Sequence, residues 1–158
     1  MISVLDSFDT AIVRKVAMTE CDQQLFRFIS DSIIPYYPNG AEWLSTKVFS
    51  DDSSRLLLIS QLPDGLVNGF SILKNEDFEK KICTLFVSPD FRGKGIGTAL
   101  LNRSLDLLGC DKPLITVSDD LLLSFIPLFS RYGFENIESY VDRYRDGHIE
   151  YSFNGVLK

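Results

Sequence analysis

The chain has 158 residues, of which 45% are hydrophobic and 24% are charged. This composition fits one globular core and excludes disordered and fibrous classes, so we expect a single domain over residues 1–158. The formal net charge of -6 argues against a nucleic-acid partner, because phosphate recognition requires a basic face.

The first half of the chain predicts an α/β pattern in which strands bracket two helices. The expected order is a strand over 11–18, a helix over 19–34, a loop over 35–40, a helix over 41–49, and strands over 55–62, 66–74 and 81–87. Pro35 and Pro38 end the first helix. Pro63-Asp64-Gly65 predicts a hairpin turn, because proline presets φ and glycine accepts a positive φ.

The second half continues with two helices that alternate with strands. The expected order is a helix over 96–108, a strand over 114–117, a helix over 121–132, and strands over 134–144 and 148–156. Gly109 and Gly133 are placed to end the two helices. Pro127 should kink or shorten the second one unless that helix starts near Pro127. The whole order predicts an α/β mixture with a largely antiparallel sheet.

Periodicity also predicts which faces of two of these elements are buried. Thr98, Asn102 and Asp106 recur every four residues and form one solvated stripe on an otherwise apolar helix. In the last strand, Ile149, Tyr151 and Phe153 alternate, which predicts a set that faces the core. We therefore expect a mostly buried third helix and a last strand with one apolar face.

The N-terminal segment, the lengths of the apolar runs and the cysteines all indicate a cytoplasmic protein. Asp6 and Asp9 stand where a secretory signal would carry basic residues, and no apolar run approaches the roughly 20 residues of a membrane-spanning helix. Cys21, Cys83 and Cys110 are odd in number and widely separated, which favours neither a disulfide framework nor a metal cluster. We expect reduced thiols, no metal and no membrane partner.

The segment from Leu85 to Leu100 carries the strongest chemical pattern. A strand runs directly into a helix through Gly93, Gly95 and Gly97. Glycines at a helix N-terminus let backbone N–H groups converge, and these donors together with the helix dipole favour an anion. Arg92 and Lys94 add positive charge beside the turn. The pattern predicts a site for a phosphate or pyrophosphate.

Two other phosphate-binding patterns disagree with the spacing. A Walker P-loop requires a lysine directly after its last glycine, and none follows Gly97. A dinucleotide fingerprint requires glycine at the sixth position from Gly93, where Thr98 stands. A tight strand-to-helix turn without a ligand needs one or two glycines rather than three, so the pattern favours binding.

These residues resemble the GNAT superfamily of N-acetyltransferases. The segment 92–97 reads Arg-Gly-Lys-Gly-Ile-Gly, which is similar to the family's Arg/Gln-x-x-Gly-x-Gly/Ala, and Val87-Ser88-Pro89-Asp90-Phe91 is similar to its strand end. The resemblance covers nearly the whole chain. It implies a central, mostly antiparallel, splayed seven-stranded sheet flanked by about four helices, and acetyl-coenzyme A (acetyl-CoA) as co-substrate.

The resemblance also implies where the coenzyme binds. Its pyrophosphate would lie on the glycine turn, and its pantetheine arm would pair with exposed backbone of the fourth strand. The implied coenzyme-binding residues are Leu85, Phe86, Val87, Arg92, Gly93, Lys94, Gly95, Ile96, Gly97 and Thr98.

The implied reaction is direct attack of an amine on the thioester within a ternary complex. A backbone N–H of Phe86 or Val87 would face the developing oxyanion. The family's acid is a tyrosine four residues before the closing Gly-Phe, where this chain has Phe129. Tyr132, three residues on, is the catalytic acid predicted here, and the alternative is that it packs in the core.

The other proton carriers of the family are also replaced. Apolar residues, Leu122 and Val117, stand where some members carry an asparagine and a base glutamate. Cys83 is interpreted as a buried apolar thiol on the strand face of Leu85 and Val87, with a covalent acetyl-cysteine as the alternative. His148 is interpreted as a hairpin residue, with a base as the alternative. No base is assigned from the sequence.

The loop 36–40 together with Trp43 is the predicted specificity element, with core coverage as the alternative. The acceptor would be an amine on a small molecule, a peptide or a protein, and the chain would be a monomer or a homodimer. Two further functions stay open: a coenzyme A-binding sensor without turnover, and a nucleotide or phosphopeptide binder.

Overall fold

An open seven-stranded sheet organises the chain, and the computed structural model describes residues 11–50 and 54–157. The strands are β1 (Ile12–Val16), β2 (Arg55–Gln61), β3 (Val67–Glu76), β4 (Glu79–Val87), β5 (Leu114–Ser118), β6 (Asn136–Val141) and β7 (Ile149–Phe153). The helices are α1 (Gln23–Ile33), α2 (Gly40–Trp43), α3 (Ile96–Leu108) and α4 (Asp119–Arg131). The predicted order and number of elements are confirmed.

The strand order is β1-β2-β3-β4-β5-β7-β6, and each neighbouring pair is antiparallel except β4 with β5. The parallel ladder joins Lys81 to Leu114 and Ile82 to Ile115, and it ends there. Beyond this point β4 keeps its pairing to β3, in which Leu85 lies opposite Ser71. The two central strands therefore diverge toward their carboxyl ends, as the resemblance implied.

Helices cover both faces of this sheet, because its central strands are apolar on both sides. In β2, Leu58 faces the core beneath α3 and α4, and Leu57 faces the core beneath α1 and α2. The α3–α4 core contains Ile82, Leu85, Leu100, Leu101 and Phe129 among others, and the α1–α2 core contains Ile29, Ile33, Leu44 and Phe70 among others.

The first two predicted helices are shorter than expected. A 3₁₀ turn occupies Met18–Glu20, and α1 begins at Gln23 because the Asp22 carboxylate accepts from Leu25 N–H at 2.8 Å. The helix predicted over 41–49 is one α-helical turn followed by a π-helical segment, Leu44–Val48.

The prediction that Pro127 shortens the fourth helix is wrong. α4 runs through Pro127 from Asp119 to Arg131, and it begins two residues earlier than predicted, after Ser118 as N-cap. Pro127 leaves the carbonyl of Leu123 without its helical donor. Leu123 is 82% exposed, so water can hydrate that carbonyl.

The predicted buried faces are partly confirmed. Asn102 and Asp106 are exposed on α3, as expected. On β7, Tyr151 and Phe153 pack on the α3–α4 core, but the opposite face, with Glu150, is buried as well.

Among the described residues, no helix has the length and apolar character needed to cross a bilayer. Asp6 and Asp9, which carry the prediction about secretion, lie outside the described residues.

Candidate functional site

The glycine turn begins α3 with an unusual backbone. Gly93 and Gly95 have φ angles of 77° and 87°, in the left-handed region that side chains disfavour. Gly95 is the N-cap residue, and the first helical bond runs from Ala99 N to Gly95 O at 3.0 Å. Because Gly95 has no side chain that could accept a bond, the N–H groups of residues 96–98 are suited to an external anion.

Gly97 matters for close packing rather than for a positive φ angle. A Cβ built there would lie 3.8 Å from Val87 Cγ2 and 4.0 Å from Leu128 Cδ2, so the start of α3 passes close to the end of β4 and to α4. Ile96 is buried in the α3–α4 core and offers the turn only its backbone. Thr98 is half-buried in the first turn, and Lys94 is exposed.

Arg92 folds back onto the strand that precedes the turn. Its Nε donates to Val87 O at 2.8 Å, and its guanidinium lies 5.4 Å from the centre of the Phe86 ring. These contacts hold the end of β4 against the turn. Arg92 therefore has a structural contact of its own besides any phosphate it binds.

A cavity of about 200 Å³, here called the turn cavity, opens beside these residues. It is lined by Leu85, Phe86, Val87, Arg92, Gly93 and Gly97 of the predicted coenzyme site, and by Leu121, Ser124, Phe125 and Leu128 of α4. The fold thus brings the strand end, the turn and one face of α4 around a single groove.

A larger cavity of about 330 Å³, the loop cavity, lies on the α1–α2 side of β4. The predicted specificity loop contributes Tyr37, Pro38, Asn39 and Gly40, and Trp43 follows. The rest of its wall consists of Lys81, Cys83, Thr84, Thr116, Arg143 and Tyr144.

A narrow third cavity, the gap cavity, lies where β4 and β5 diverge. It shares Tyr37, Cys83, Thr84 and Thr116 with the loop cavity, and Leu85, Phe86 and Leu121 with the turn cavity. Its volume of about 20 Å³ is small. The gap cavity therefore connects the walls of the other two.

Sequence reasoning missed Glu150, which lies behind this wall. Glu150 is 4% exposed and accepts from the Tyr37 hydroxyl at 2.7 Å. Burial raises the pKa of Glu150, and burial together with the Glu150 charge raises the pKa of Tyr37 well above 10.0. The alternation on β7 places Glu150 on the strand face opposite the apolar residues. That face would be exposed to solvent if helices covered only one face of the sheet.

The face predicted for Cys83 is wrong. Ile72 pairs with Thr84 and Leu73 with Ile82, so Cys83 is the extra residue of a β-bulge in β4. The bulge turns Cys83 toward the α1–α2 core and the loop cavity, whereas Leu85 and Val87 pack on the α3–α4 core. Burial raises the pKa of this thiol, which disfavours a nucleophilic thiolate.

Tyr132 is not brought to these cavities. Its hydroxyl donates to Asn102 Oδ1 on α3, and Tyr132 is absent from the walls of the turn, gap and loop cavities. Phe129 is 1% exposed in the α3–α4 core. Among the α4 residues on the turn cavity, Ser124 alone carries a hydroxyl. The catalytic role of Tyr132 stays a prediction.

His148 belongs to an ion-pair cluster at the start of α4. Its Nδ1 lies 3.0 Å from Asp119 Oδ1, and Ile149 N–H donates to Asp119 Oδ2 at 3.0 Å. These two hydrogen bonds hold the pKa of Asp119 well below its ordinary value. The cluster fastens the β6–β7 hairpin to α4, in agreement with the expectation of a hairpin residue.

Known proteins match part of the sequence and the fold. A stretch of 53 residues, 34% of this chain, is 43% identical to a mycothiol acetyltransferase from Clavibacter michiganensis subsp. michiganensis and covers 17% of that protein. A solved GNAT-family protein from Desulfovibrio desulfuricans matches with a TM-score of 0.64 at 16% identity, over 90% of this chain and 96% of the other.

A spermidine/spermine N-acetyltransferase from Vibrio cholerae also matches, with a TM-score of 0.64 at 14% identity, over 93% of this chain and 92% of the other. At these identities the two structures show a common fold. Residues 52–136, more than half of the chain, match the family model described as the acetyltransferase (GNAT) domain. The chain therefore belongs to the GNAT acetyltransferase family, a family of acyltransferases.

Proposed function

We propose that this chain transfers the acetyl group of acetyl-CoA to a primary amine by direct attack within a ternary complex. The observation that carries the proposal is the gap cavity, which joins a groove on the glycine turn to a separate cavity under the predicted specificity loop. Two substrates that approach from these two sides would meet where β4 and β5 diverge.

The residues of the turn cavity suit the coenzyme. The N–H groups that follow Gly95 would receive the pyrophosphate, with Arg92 and Lys94 beside them, and Ile96, Gly97 and Thr98 in the first turn. Leu85, Phe86 and Val87 would bind pantetheine through backbone that β5 does not pair. Acetyl-CoA supplies an activated acetyl group as a thioester.

The chain itself must orient the carbonyl and take a proton from the amine. A backbone N–H of Phe86 or Val87 would stabilise the developing oxyanion, because hydrogen-bond donors fixed in advance need no reorganisation. Tyr37 lines both the loop and gap cavities, so its hydroxyl is placed to accept an amine N–H and pass the proton to Glu150. Tyr37 and Glu150 form the proton relay of this proposal, and the departing coenzyme A thiolate takes its proton from solvent.

The test measures free thiol from acetyl-CoA with a panel of small amines and peptide N-termini. Release with at least one amine, and a tenfold or greater loss of the rate in Glu150→Gln at an unchanged Kd for acetyl-CoA, would support the proposal. Titration calorimetry with acetyl-CoA and with ATP distinguishes the other functions. Binding of acetyl-CoA without release would favour a sensor, for which Phe129, Leu122 and Val117 argue, and binding of ATP alone would overturn the coenzyme assignment.

The cellular location, the oligomeric state and the domain organisation are further predictions that the proposed reaction does not depend on. A cytoplasmic location, a monomeric or homodimeric state and a single domain over residues 1–158 stay predictions. Spermidine and spermine belong to the name of the Vibrio cholerae neighbour and are two amines for the panel.

A further inference from the structure

The charged side chains that line the loop cavity have one sign. Among the described residues of its wall, Lys81 and Arg143 are charged, and no carboxylate lines it. The carboxylate of the proposed relay, Glu150, is buried behind Tyr37 and accepts a hydrogen bond from the Tyr37 hydroxyl at 2.7 Å. Two lining cations and one shielded carboxylate make the cavity electropositive.

The two cations belong to the part of the loop cavity wall that is not shared with the gap cavity. Tyr37, Cys83, Thr84 and Thr116 line both the loop and gap cavities, whereas Lys81 and Arg143 line only the loop cavity. Lys81 pairs with Leu114 at the start of the parallel ladder, before the strands diverge. The wall that the loop cavity shares with the gap cavity is therefore polar and uncharged, and both cations belong to the unshared wall.

Arg143 is held in place by aromatic rings. Its guanidinium lies 5.4 Å from the centre of the Tyr140 ring and 6.0 Å from that of Tyr144. Tyr144 packs edge-on against Tyr37 with ring centres 5.0 Å apart. A stacked guanidinium loses less freedom when it binds an anion, and its fork matches a carboxylate.

We propose that the acceptor carries a carboxylate in addition to its amine, with the carboxylate bound by Lys81 and Arg143 and the amine directed into the gap cavity. The inference rests on the proposed acetyl transfer. A diamine or polyamine is disfavoured, because its distal ammonium would face both cations. Amino acids with separated amine and carboxylate groups, and short peptides, are the acceptor class that fits.

The test compares three acceptors that differ only at the end remote from the amine: 5-aminopentanoate, pentylamine and 1,5-diaminopentane. Thiol release from acetyl-CoA gives kcat/KM for each. We expect 5-aminopentanoate to exceed the diamine by about tenfold or more, with pentylamine between them. A diamine that equals or exceeds 5-aminopentanoate would overturn the inference and leave acetyl transfer standing.

Two variants locate the effect. Lys81→Gln and Arg143→Gln should each lower kcat/KM for 5-aminopentanoate about fivefold or more relative to that for pentylamine, because pentylamine has no carboxylate to lose. Lys15→Gln, on the exposed face of β1, is the matched control and should change neither. Equal losses for both acceptors would overturn the charge assignment. No release with these amines or the wider panel would overturn acetyl transfer itself.

Discussion

Gly95 combines two requirements that different experiments can separate. Its φ of 87° is one that residues with a Cβ atom disfavour. Its position at the N-cap, without a side chain, leaves the N–H groups of the first helical turn accessible. Gly65 in the β2–β3 turn has a φ of 97°, and a Cβ at either glycine would meet no described heavy atom within 4 Å. The two glycines therefore share backbone strain but differ in position.

Gly95→Ala and Gly65→Ala should each lower the free energy of unfolding by about 1–2 kcal/mol, the cost of a left-handed residue with a side chain. Only Gly95→Ala should weaken acetyl-CoA binding, by tenfold or more, because its methyl group would occupy the place of the anion. Urea denaturation and titration calorimetry measure the two effects. Unchanged affinity in Gly95→Ala would refute the placement of the pyrophosphate.

Tyr132 joins two helices through its hydroxyl, which donates to Asn102. Tyr132→Phe should therefore lower the free energy of unfolding by about 1 kcal/mol and change the rate of thiol release less than twofold. In Asn102→Ala the same Tyr132 change should cost little further stability, because the partner is already gone. A tenfold loss of rate at unchanged stability would instead assign proton transfer to Tyr132.

At the scale of elements, β7 is buried on both faces, although its sequence pattern predicts one buried face. Tyr151 and Phe153 pack on the α3–α4 core, while Glu150 and Ser152 are buried on the opposite face. Glu150 lies opposite Ser118 at the end of β5, beside the opening between β4 and β5. One strand thus serves the core with one face and the site with the other.

The raised pKa of Glu150 predicts how stability depends on pH. Because burial raises the pKa above its ordinary value of 4.5, the folded state holds this proton more tightly than the unfolded state does. The resulting stability is fully present below about pH 4.5 and is lost as pH rises through the folded pKa. The unfolding free energy of the wild type, relative to Glu150→Gln, should therefore fall as pH rises from about 4.5 through the folded pKa.

Urea denaturation at three pH values across this range measures the difference. Glu135→Gln, an exposed substitution, is the matched control and should give a difference that does not depend on pH. A wild type that gains stability over Glu150→Gln as pH rises would mean that the folded protein stabilises the ionised carboxylate.

At the scale of the whole molecule, Arg145 links three segments that are distant in sequence. Its Nη1 donates to Pro35 O at 3.1 Å and lies 3.0 Å from Asp120 Oδ2, and its Nη2 donates to Ser118 Oγ at 2.6 Å. Pro35 begins the loop that lines the loop cavity. Arg145 therefore connects that loop to the end of β5 and to the start of α4.

Arg145→Gln should raise KM for the acceptor about fivefold or more, because the loop that carries Tyr37 loses its attachment, and lower the unfolding free energy by about 2 kcal/mol. The Kd for acetyl-CoA should change less than twofold, since the turn cavity does not include Arg145. Steady-state kinetics and calorimetry test both statements. Arg131→Gln, exposed at the end of α4, is the control, and a loss of coenzyme affinity in Arg145→Gln would contradict this role.

Local patterns predicted most elements and the turn, but not the side chains around the gap cavity. The Pro63-Asp64-Gly65 turn and the glycine stops at residues 109 and 133 depend on nearby backbone, and the structure has positive φ at all three glycines. The bulge at Cys83 depends instead on pairing with β3, and the burial of Glu150 depends on the loop that carries Tyr37. Those partners are distant in the chain, so no local period reports them.

The sequence by itself determined the order of strands and helices and the glycine turn before α3, because hydrophobic periodicity and glycine geometry act over a few residues. Only the tertiary structure decided that β4 and β5 part after Ile82 and Ile115, and that the loop 35–39 stands over this gap with Glu150 behind Tyr37. These features arise from contacts between segments up to 113 residues apart, and long-range packing alone sets them.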